Sequence, residues 1–270
     1  MIEIMNDTPQ AMTTNGNRAR ERDTRTDVHA RARGRCLDKP WHKTFVRAGK
    51  HMSERQKRNM NEYWHTYGIE FHYGDEMYDF KNHERGEIRE ETTTRTRRPR
   101  ALELGFGLGE SMCASARARP DVDFFGCEVH KPGIATALGT IASYNLTNVR
   151  VANIDALWLL RDFIANESLD ECCVYFPDPW NGENKAKRRL VNPLLIELLQ
   201  RTLVRGGRLN ITTDDDDYKR HITEVFAAYS ATWRPSAEMF DRFDSKYARK
   251  AIEEGRTIRD FAFIYDPVRT

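Results

Sequence analysis

From residue 101 onward, short apolar runs alternate with longer amphipathic stretches. Within each run the hydrophobic residues are adjacent, a pattern typical of strands that are buried on both faces of a sheet. Strands are predicted at 101–104 (ALEL), 123–129 (DFFGCEV), 149–152 (VRVA), 172–176 (CCVYF) and 208–213 (RLNITT), with two further runs near 239–243 and 261–265. Between them, apolar residues at helical spacing predict helices near 110–118, 132–143, 156–165, 190–203 and 216–229.

This alternation of strands and helices predicts an α/β fold with a doubly wound, mostly parallel, seven-stranded sheet covered by helices on both faces. In such a sheet the carboxyl ends of the strands meet at one edge, which is where open α/β sheets usually bind ligands. Side chains that directly follow the predicted strands are therefore the first candidates for chemistry.

The same pattern divides the chain into four segments. Residues 1–40 are polar and rich in arginine, and they predict a disordered arm. Aromatic and charged residues alternate over 41–80, which predicts an N-terminal lobe packed on a larger core. Residues 81–100 are almost wholly polar and predict an exposed linker or insertion, whereas 101–270 hold the sheet domain.

Overall charge does not indicate a nucleic-acid partner, because 43 Lys and Arg nearly balance 41 Asp and Glu. The distribution is uneven, however, since residues 18–35 carry seven arginines and residues 95–100 carry four. The five cysteines show no CxxC spacing and predict reduced thiols in a cytoplasmic protein. No apolar stretch approaches the roughly 20 residues of a membrane span, and the first residues lack the apolar core of a secretory signal.

A glycine-rich loop lies between the first predicted strand and the helix that follows it. Gly105, Gly107 and Gly109 would let backbone amides and a helix N-terminus approach a ligand closely. A dinucleotide fingerprint would place its third glycine at position 110, where this chain has Glu110. Because a carboxylate beside a pyrophosphate is unfavourable, the loop favours a cofactor without phosphate, such as S-adenosyl-L-methionine (SAM).

Three carboxylates stand at or after consecutive predicted strands. Glu103 suits the cationic sulfonium and amino groups of SAM, and Glu128 is placed to accept both ribose hydroxyls. Asp155 could accept a hydrogen bond from the adenine amino group. The alternative is that Glu128 and Asp155 only cap the helices that follow them.

The fourth strand ends in Pro177-Asp178-Pro179, in which two prolines fix the backbone on either side of a carboxylate. If the acceptor is N7 of a guanine, methyl transfer needs no general base, because N7 has a lone pair and no proton to lose. It needs in-line placement and stabilisation of the positive charge that develops on the ring, and Asp178 can supply both. The alternative is a turn residue without a chemical role.

A cationic cluster follows within a few residues. Lys185, Lys187, Arg188 and Arg189 would lie where the phosphates of an RNA substrate pass. A solvated helix start is the alternative. The four aspartates 214–217 could suggest a metal site, but acids at a helix N-terminus explain them better, and no metal is predicted.

From Trp41 to Phe263 these features occur together in one order. The segments are TFVRAGKHMSERQKRNMNEYWHTYGIEF (44–71), LELGFGLGES, FFGCEVHKPGI, VYFPDPW, KRRLV and TDDDDY. In this order and spacing the chain resembles the bacterial tRNA (guanine-N7-)-methyltransferase family. The resemblance implies a Rossmann-like class I SAM-dependent methyltransferase that methylates N7 of a variable-loop guanosine in tRNA, as a monomer or homodimer without a partner subunit.

The resemblance also implies roles for individual residues. Asp178 would be the catalytic carboxylate of the active site. The cofactor would be held by Glu103, Gly105, Phe106, Gly107, Gly109, Glu128, Val129, Ile154, Asp155 and Ala156. The tRNA would be bound by Lys185, Lys187, Arg188, Arg189, Asp214, Ser245 and Lys246.

The chain departs from the family pattern on the acceptor side. Gly182 stands where the family has a basic residue that touches substrate, and Asp215 replaces a tryptophan. Ala248 stands where a glutamate should grip the guanine, and losing such a group should cost about 1–3 kcal/mol of recognition. Three hypotheses follow: continued tRNA methylation, methylation of a ring nitrogen of a smaller heterocycle, or an inactive RNA-binding relative.

Overall fold

The computed structural model describes residues 44–45, 51–72, 77–78, 97–238 and 243–267. The arm predicted for residues 1–40 and most of the linker predicted for 81–100 lie outside these ranges. The described strands are β1 Gly68–Ile69, β2 Arg100–Leu104, β3 Asp123–Cys127, β4 Val149–Ala152, β5 Leu169–Tyr175, β6 Leu203–Thr213, β7 Trp233–Pro235 and β8 Arg259–Tyr265. The described helices are α1 Glu54–Tyr67, α2 Glu110–Ala118, α3 Lys131–Ser143, α4 Ala156–Asp162, α5 Glu183–Ala186, α6 Pro193–Thr202, α7 Asp216–Ala227 and α8 Lys246–Glu253.

The strands form one sheet in the order β1-β4-β3-β2-β5-β6-β8-β7. Strands β1 to β6 pair in parallel, and β8 runs antiparallel between β6 and β7. This arrangement confirms the predicted doubly wound, mostly parallel sheet. The described part of the sheet has eight strands rather than seven, because Gly68 and Ile69 add a short edge strand beside β4.

The central strands are apolar because both of their faces are covered. Every residue of β3 and β4 is buried, which explains why their sequences show no alternation. Helix α1 packs against α3, where Gln56 Nε2 donates to the Pro132 carbonyl and to Thr136 Oγ1, each at 3.1 Å. Three aromatic side chains of α1 also pack against an apolar cluster that includes residues of α3. They are Tyr63, Trp64 and Tyr67.

The largest differences from the predicted elements lie after β5. The helix predicted over 190–203 begins at Pro193, because Asn192 caps it by accepting from the Leu195 amide and proline favours the first turn. The short α5 and the amphipathic α8 were not predicted. The strand predicted near 239–243 lies mostly outside the described residues, and the strand found in this part of the chain is β7.

Several simple properties follow from the described residues. No helix among them is both long and apolar enough to cross a membrane. Their four cysteines are free thiols, whereas Cys36 lies outside the described ranges. The aspartates 214–217 begin α7, where Asp215 accepts from the Tyr218 amide at 2.7 Å, and the described residues form no group of side chains suited to a metal.

Candidate active site

A cavity of about 340 Å³ opens at the carboxyl ends of β2, β3, β4 and β5. Its volume lies within the range of roughly 300–1,000 Å³ that is usual for small-molecule sites. The wall contains Asp178 and all predicted cofactor residues except Gly109, namely Glu103, Gly105, Phe106, Gly107, Glu128, Val129, Ile154, Asp155 and Ala156. The structure therefore brings together side chains that are up to 75 positions apart in sequence, from Glu103 to Asp178.

The glycine loop needs its glycines for backbone reasons. Gly107 and Gly109 have φ values of 58° and 75°, in the left-handed region that other residues seldom adopt. Gly109 caps α2 and packs against α3, where an added Cβ would lie 2.6 Å from the Cβ of Ala137. Gly109 thus lets the loop pack closely against α3, and it does not line the cavity.

Glu128 organises this loop. Its Oε2 accepts from the Gly107 amide at 2.8 Å, and its Oε1 accepts from the amides of Val129 at 2.7 Å and His130 at 2.9 Å. A carboxylate offers about four acceptor sites, so roughly one remains on Oε2. Glu128 can therefore receive a ligand hydroxyl on Oε2 while it holds the backbone. That it accepts both ribose hydroxyls stays a prediction.

Asp155 serves as a cap and also lines the cavity. Its Oδ1 accepts from the Trp158 amide at 3.0 Å, so the side chain caps α4 as the alternative interpretation proposed. Glu103 is deeper, with 8% of its surface exposed. Burial, reinforced by the nearby Glu128 carboxylate, raises the pKa of Glu103 to about 8. A cationic ligand group beside Glu103 would stabilise its ionised form.

Asp178 lies in a turn with an unusual backbone. Phe176 and Trp180, two positions before and after it, have φ values of 49° and 46° although neither is glycine. Such a conformation costs of the order of 1–3 kcal/mol and persists only where its surroundings enforce it. Partial burial raises the pKa of the Asp178 carboxyl, and the Arg188 guanidinium opposes that shift.

Four interactions hold this turn. The Arg188 guanidinium lies 3.5 Å from the centroid of the Trp180 ring, and Trp180 Nε1 donates to the Thr44 carbonyl at 2.9 Å. Arg189 Nε donates to the Pro179 carbonyl at 2.8 Å, and its guanidinium pairs with Asp217. With only 4% of its surface exposed, Arg189 has almost nothing to offer an RNA phosphate, whereas Lys185 and Lys187 are exposed.

Helix α8 and its cap contribute two residues to the cavity wall, Ser245 and Tyr247. Ser245 caps this helix by accepting from the Ala248 amide at 3.2 Å, and it lines the cavity. Lys246 and Asp214, which were also predicted to bind substrate, do not line the cavity. Asp214 instead pairs with the Arg256 guanidinium. Of the predicted tRNA-binding residues, Ser245 is therefore the one that reaches the cavity wall in the described part of the chain.

Several wall residues were not predicted from the sequence. They are Thr44, Phe45, Leu104, Leu108, Glu110, Ser111, Cys127, Tyr175, Phe176, Pro177, Leu190 and Tyr247. The Tyr247 and Phe176 rings are nearly parallel, at 23° with centroids 6.3 Å apart.

Comparison with known proteins identifies the family. A family model described as "Putative methyltransferase" matches residues 97–261. A tRNA (guanine-N(7)-)-methyltransferase from Stutzerimonas stutzeri is 42% identical over 183 residues, which cover 68% of this chain and 72% of the relative. A protein of the same name from Ectopseudomonas mendocina is 36% identical over 229 residues, covering 82% and 90%. The chain belongs to the tRNA (guanine-N(7)-)-methyltransferase family.

Membership of the tRNA (guanine-N(7)-)-methyltransferase family confirms the resemblance seen in the sequence. The structure also describes the surroundings of two of the three departures, Gly182 and Ala248. Gly182 caps α5 with φ of 97°. A Cβ added at Gly182 would meet no atom within 4 Å, so the basic side chain that this chain lacks would have stood in open space. Ala248 is 2% exposed, so the position of the family glutamate is buried in α8.

Proposed function

We propose that the protein transfers a methyl group from SAM to N7 of a guanosine in the variable loop of tRNA. The observation that carries the proposal is that Asp178 lines the same cavity as Glu103, Glu128 and Asp155, at the carboxyl ends of four parallel strands. The proteins with which the chain shares its family are named tRNA (guanine-N(7)-)-methyltransferases.

The donor set fits SAM, because three carboxylates face a ligand whose sulfonium and amino groups are cationic. SAM supplies an electrophilic methyl group, and the sulfonium becomes a neutral thioether as the methyl group leaves. Glu103 stabilises positive charge deep in the cavity, and Glu128 receives a ribose hydroxyl on its remaining acceptor site. Asp155 fixes the start of α4 at the wall that would face the adenine.

Asp178 acts on the acceptor. The N7 lone pair forms the new bond to carbon, no proton is removed, and the guanine ring becomes cationic. A carboxylate held next to the ring stabilises that charge as it develops, which is the form of stabilisation that lowers a barrier most directly. The contacts of Trp180, Arg188 and Arg189 hold the turn, so the carboxylate is in place before the substrate arrives.

The direct test is transfer of a radiolabelled methyl group from SAM to unmodified tRNA transcripts. The labelled nucleoside is then identified by nuclease digestion and mass spectrometry. We expect 7-methylguanosine in the variable loop. Its absence, in a preparation that binds SAM, would contradict the proposal.

A second candidate is methylation of a ring nitrogen in a smaller heterocycle. Two observations favour it: Ala248 is buried where a glutamate would grip guanine, and Asp214 is paired with Arg256. The exposed Lys185 and Lys187 argue for tRNA, because a free base carries no phosphates for them to bind. The same transfer assay with free purines separates the two candidates.

The affinity for SAM should rise with pH because of Glu103. Its pKa of about 8 in the folded protein means that the carboxyl is protonated below pH 8, whereas its ordinary value is 4.5. A bound cation favours the carboxylate, so binding releases a proton, and Kd for SAM should fall by up to about tenfold per pH unit until pH 8. Calorimetric titrations between pH 6 and 9 would check this.

The matched variant is Glu103→Gln, for which the pH dependence should largely disappear. The free protein provides a second readout, because the folded state binds more protons than the unfolded state between pH 4.5 and 8. Its stability should therefore fall as pH rises through this window, and SAM should reduce the fall. A wild-type affinity that is flat between pH 6 and 8 would show that Glu103 does not meet the cation.

The arginine-rich arm should strengthen tRNA binding through phosphate contacts. Deleting residues 1–35 removes the seven arginines of 18–35, so tRNA binding should weaken and its salt dependence should flatten. Filter binding of tRNA between 50 and about 200 mM salt measures both effects. Kd for SAM serves as the control and should not change. An unaltered salt slope would show that the arm does not contact tRNA.

A further inference from the structure

Tyr247 occupies the boundary between the cofactor loop and the Asp178 turn. An added Cβ on Gly107 would lie 3.3 Å from Tyr247 Cε2, so the ring reaches the glycine loop. Phe176 lies nearly parallel to the same ring, and it is two residues from Asp178. Despite these contacts, 53% of Tyr247 is exposed. Tyr247 therefore contacts protein through its ring while about half of the residue remains accessible to solvent.

The backbone that carries Tyr247 is fixed by Glu110. Oε2 of Glu110 accepts from the Lys246 amide at 2.5 Å, and Oε1 accepts from Arg249 Nη2 at 2.8 Å. Arg249 Nη1 also donates to Asp244 Oδ2 at 2.6 Å. Glu110 belongs to the first turn of α2, directly after the glycine loop, so one carboxylate joins the cofactor loop to the first turn of α8.

This connection acts mainly through geometry. The Glu110 and Arg249 side chains are 35% and 48% exposed, and an ion pair so exposed contributes little to overall stability. The hydrogen bond to the Lys246 amide is different, because it fixes the residue directly before Tyr247. Glu110 thus positions the Tyr247 ring but contributes little to the stability of the fold.

We propose that the acceptor guanine stacks on the open face of Tyr247 and that Glu110 and Arg249 are positioning residues for this ring. The proposal rests on the proposed function. A base must leave its stack to reach a buried methyl donor, and aromatic side chains commonly receive such a base. Tyr247 lines the same cavity as Asp178, so a base held there also meets the carboxylate that stabilises its charge.

Stacking on Tyr247 would also explain how the guanine is recognised when two expected hydrogen-bonding groups do not reach it. Ala248 supplies no hydrogen bond to the guanine, and Asp214 is engaged by Arg256. A π-face recognises the base without either group, since stacking on an aromatic ring does not depend on the polar edge of the base. In this chain Tyr247 would therefore take over part of the recognition that the family glutamate is expected to provide.

The test measures kcat, KM for tRNA and Kd for SAM in full-length variants. Tyr247→Ala should raise KM for tRNA or lower kcat by about 10- to 100-fold, as expected for loss of one stacked base. Tyr247→Phe retains the ring and should stay within about threefold of the wild type. Kd for SAM should remain within about threefold in both variants, because the ring receives the acceptor and not the cofactor.

Glu110→Gln and Arg249→Gln should change the same parameter as Tyr247→Ala by a smaller factor, about three- to tenfold. Combined with Tyr247→Ala they should add almost nothing, since a positioning residue has no effect once the positioned ring is gone. Lys250→Gln is the matched control: Lys250 lies on the same helix and pairs with Glu254 at 3.7 Å, within α8 and its cap. It should behave as the wild type.

The outcomes separate the inference from the proposed function. A wild type that transfers no methyl group to tRNA overturns both. A wild type that is active, with Tyr247→Ala equally active, overturns only the inference. A Tyr247→Ala variant that loses SAM binding in proportion to activity also overturns it, because the ring would then be a cover for the cofactor. Additive effects of Glu110→Gln and Tyr247→Ala would overturn the positioning role.

Discussion

Replacing Asp178 by asparagine is expected to lower kcat for methyl transfer by about 100- to 1,000-fold, the usual cost of losing one preorganised electrostatic group. Asparagine keeps the shape of the side chain but removes the charge that faces the cationic ring. The turn should survive, because it is held by Trp180, Arg188 and Arg189 rather than by the carboxylate. Single-turnover rates with saturating tRNA and SAM measure the effect on chemistry.

Two comparisons make this result specific. Kd for SAM should remain within about twofold in Asp178→Asn, because none of the hydrogen bonds of the glycine loop involves Asp178. Asp121→Asn is a suitable control, since Asp121 is an exposed carboxylate just before β3, at the opposite edge of the sheet. Turnover of Asp178→Asn near the wild-type rate would place the chemistry elsewhere.

Glu128→Gln should show the reverse pattern and weaken SAM binding by about 100-fold, which corresponds to roughly 2.7 kcal/mol. The carboxylate accepts three backbone N–H groups, and hydrogen bonds to a charged group contribute about 1.5–3 kcal/mol each. The glutamine amide nitrogen cannot accept, so at least one amide of the loop loses its partner. Isothermal titration with SAM measures the loss.

Asp178→Asn is the natural control for Glu128→Gln in the same titration, since it should bind SAM normally. Thermal unfolding of each variant without ligand separates loss of the site from loss of the fold. A Glu128→Gln variant that keeps full affinity for SAM would show that the loop is held by its glycines and α2 alone. The division of labour between Glu128 and Asp178 would then be wrong.

The sheet could be predicted from the sequence because its signals are local. The runs of β3 and β4 are mostly apolar and are buried at every position. The starts of helices α4 and α7 are marked by the caps Asp155 and Asp215. Helix α8 was missed because its buried face consists of two small residues, Ala248 and Ala251, within a polar stretch. Ser245 as a cap was its one clear local signal.

Those residues of the candidate site that follow strand ends could be predicted from the sequence. Contacts between residues far apart in the sequence could not. Glu103, Glu128 and Asp155 meet because parallel strands end at one edge of the sheet. The role of Glu110 could not be predicted, since its partners Lys246 and Arg249 lie 136 and 139 positions away. From its charge, Arg189 was predicted to bind RNA. In the structure its side chain is buried and donates to the Pro179 carbonyl in the Asp178 turn.

The place of β8 in the sheet has a consequence for how the protein is made. Among the described strands β8 is translated last, yet it lies between β6 and β7 and is the strand with which β7 pairs. Strands β2 to β5 can associate on the ribosome, but the edge of β6 stays unpaired until β8 has emerged. An open strand edge invites pairing with other chains, so the nascent protein is exposed to aggregation until β8 pairs with β6.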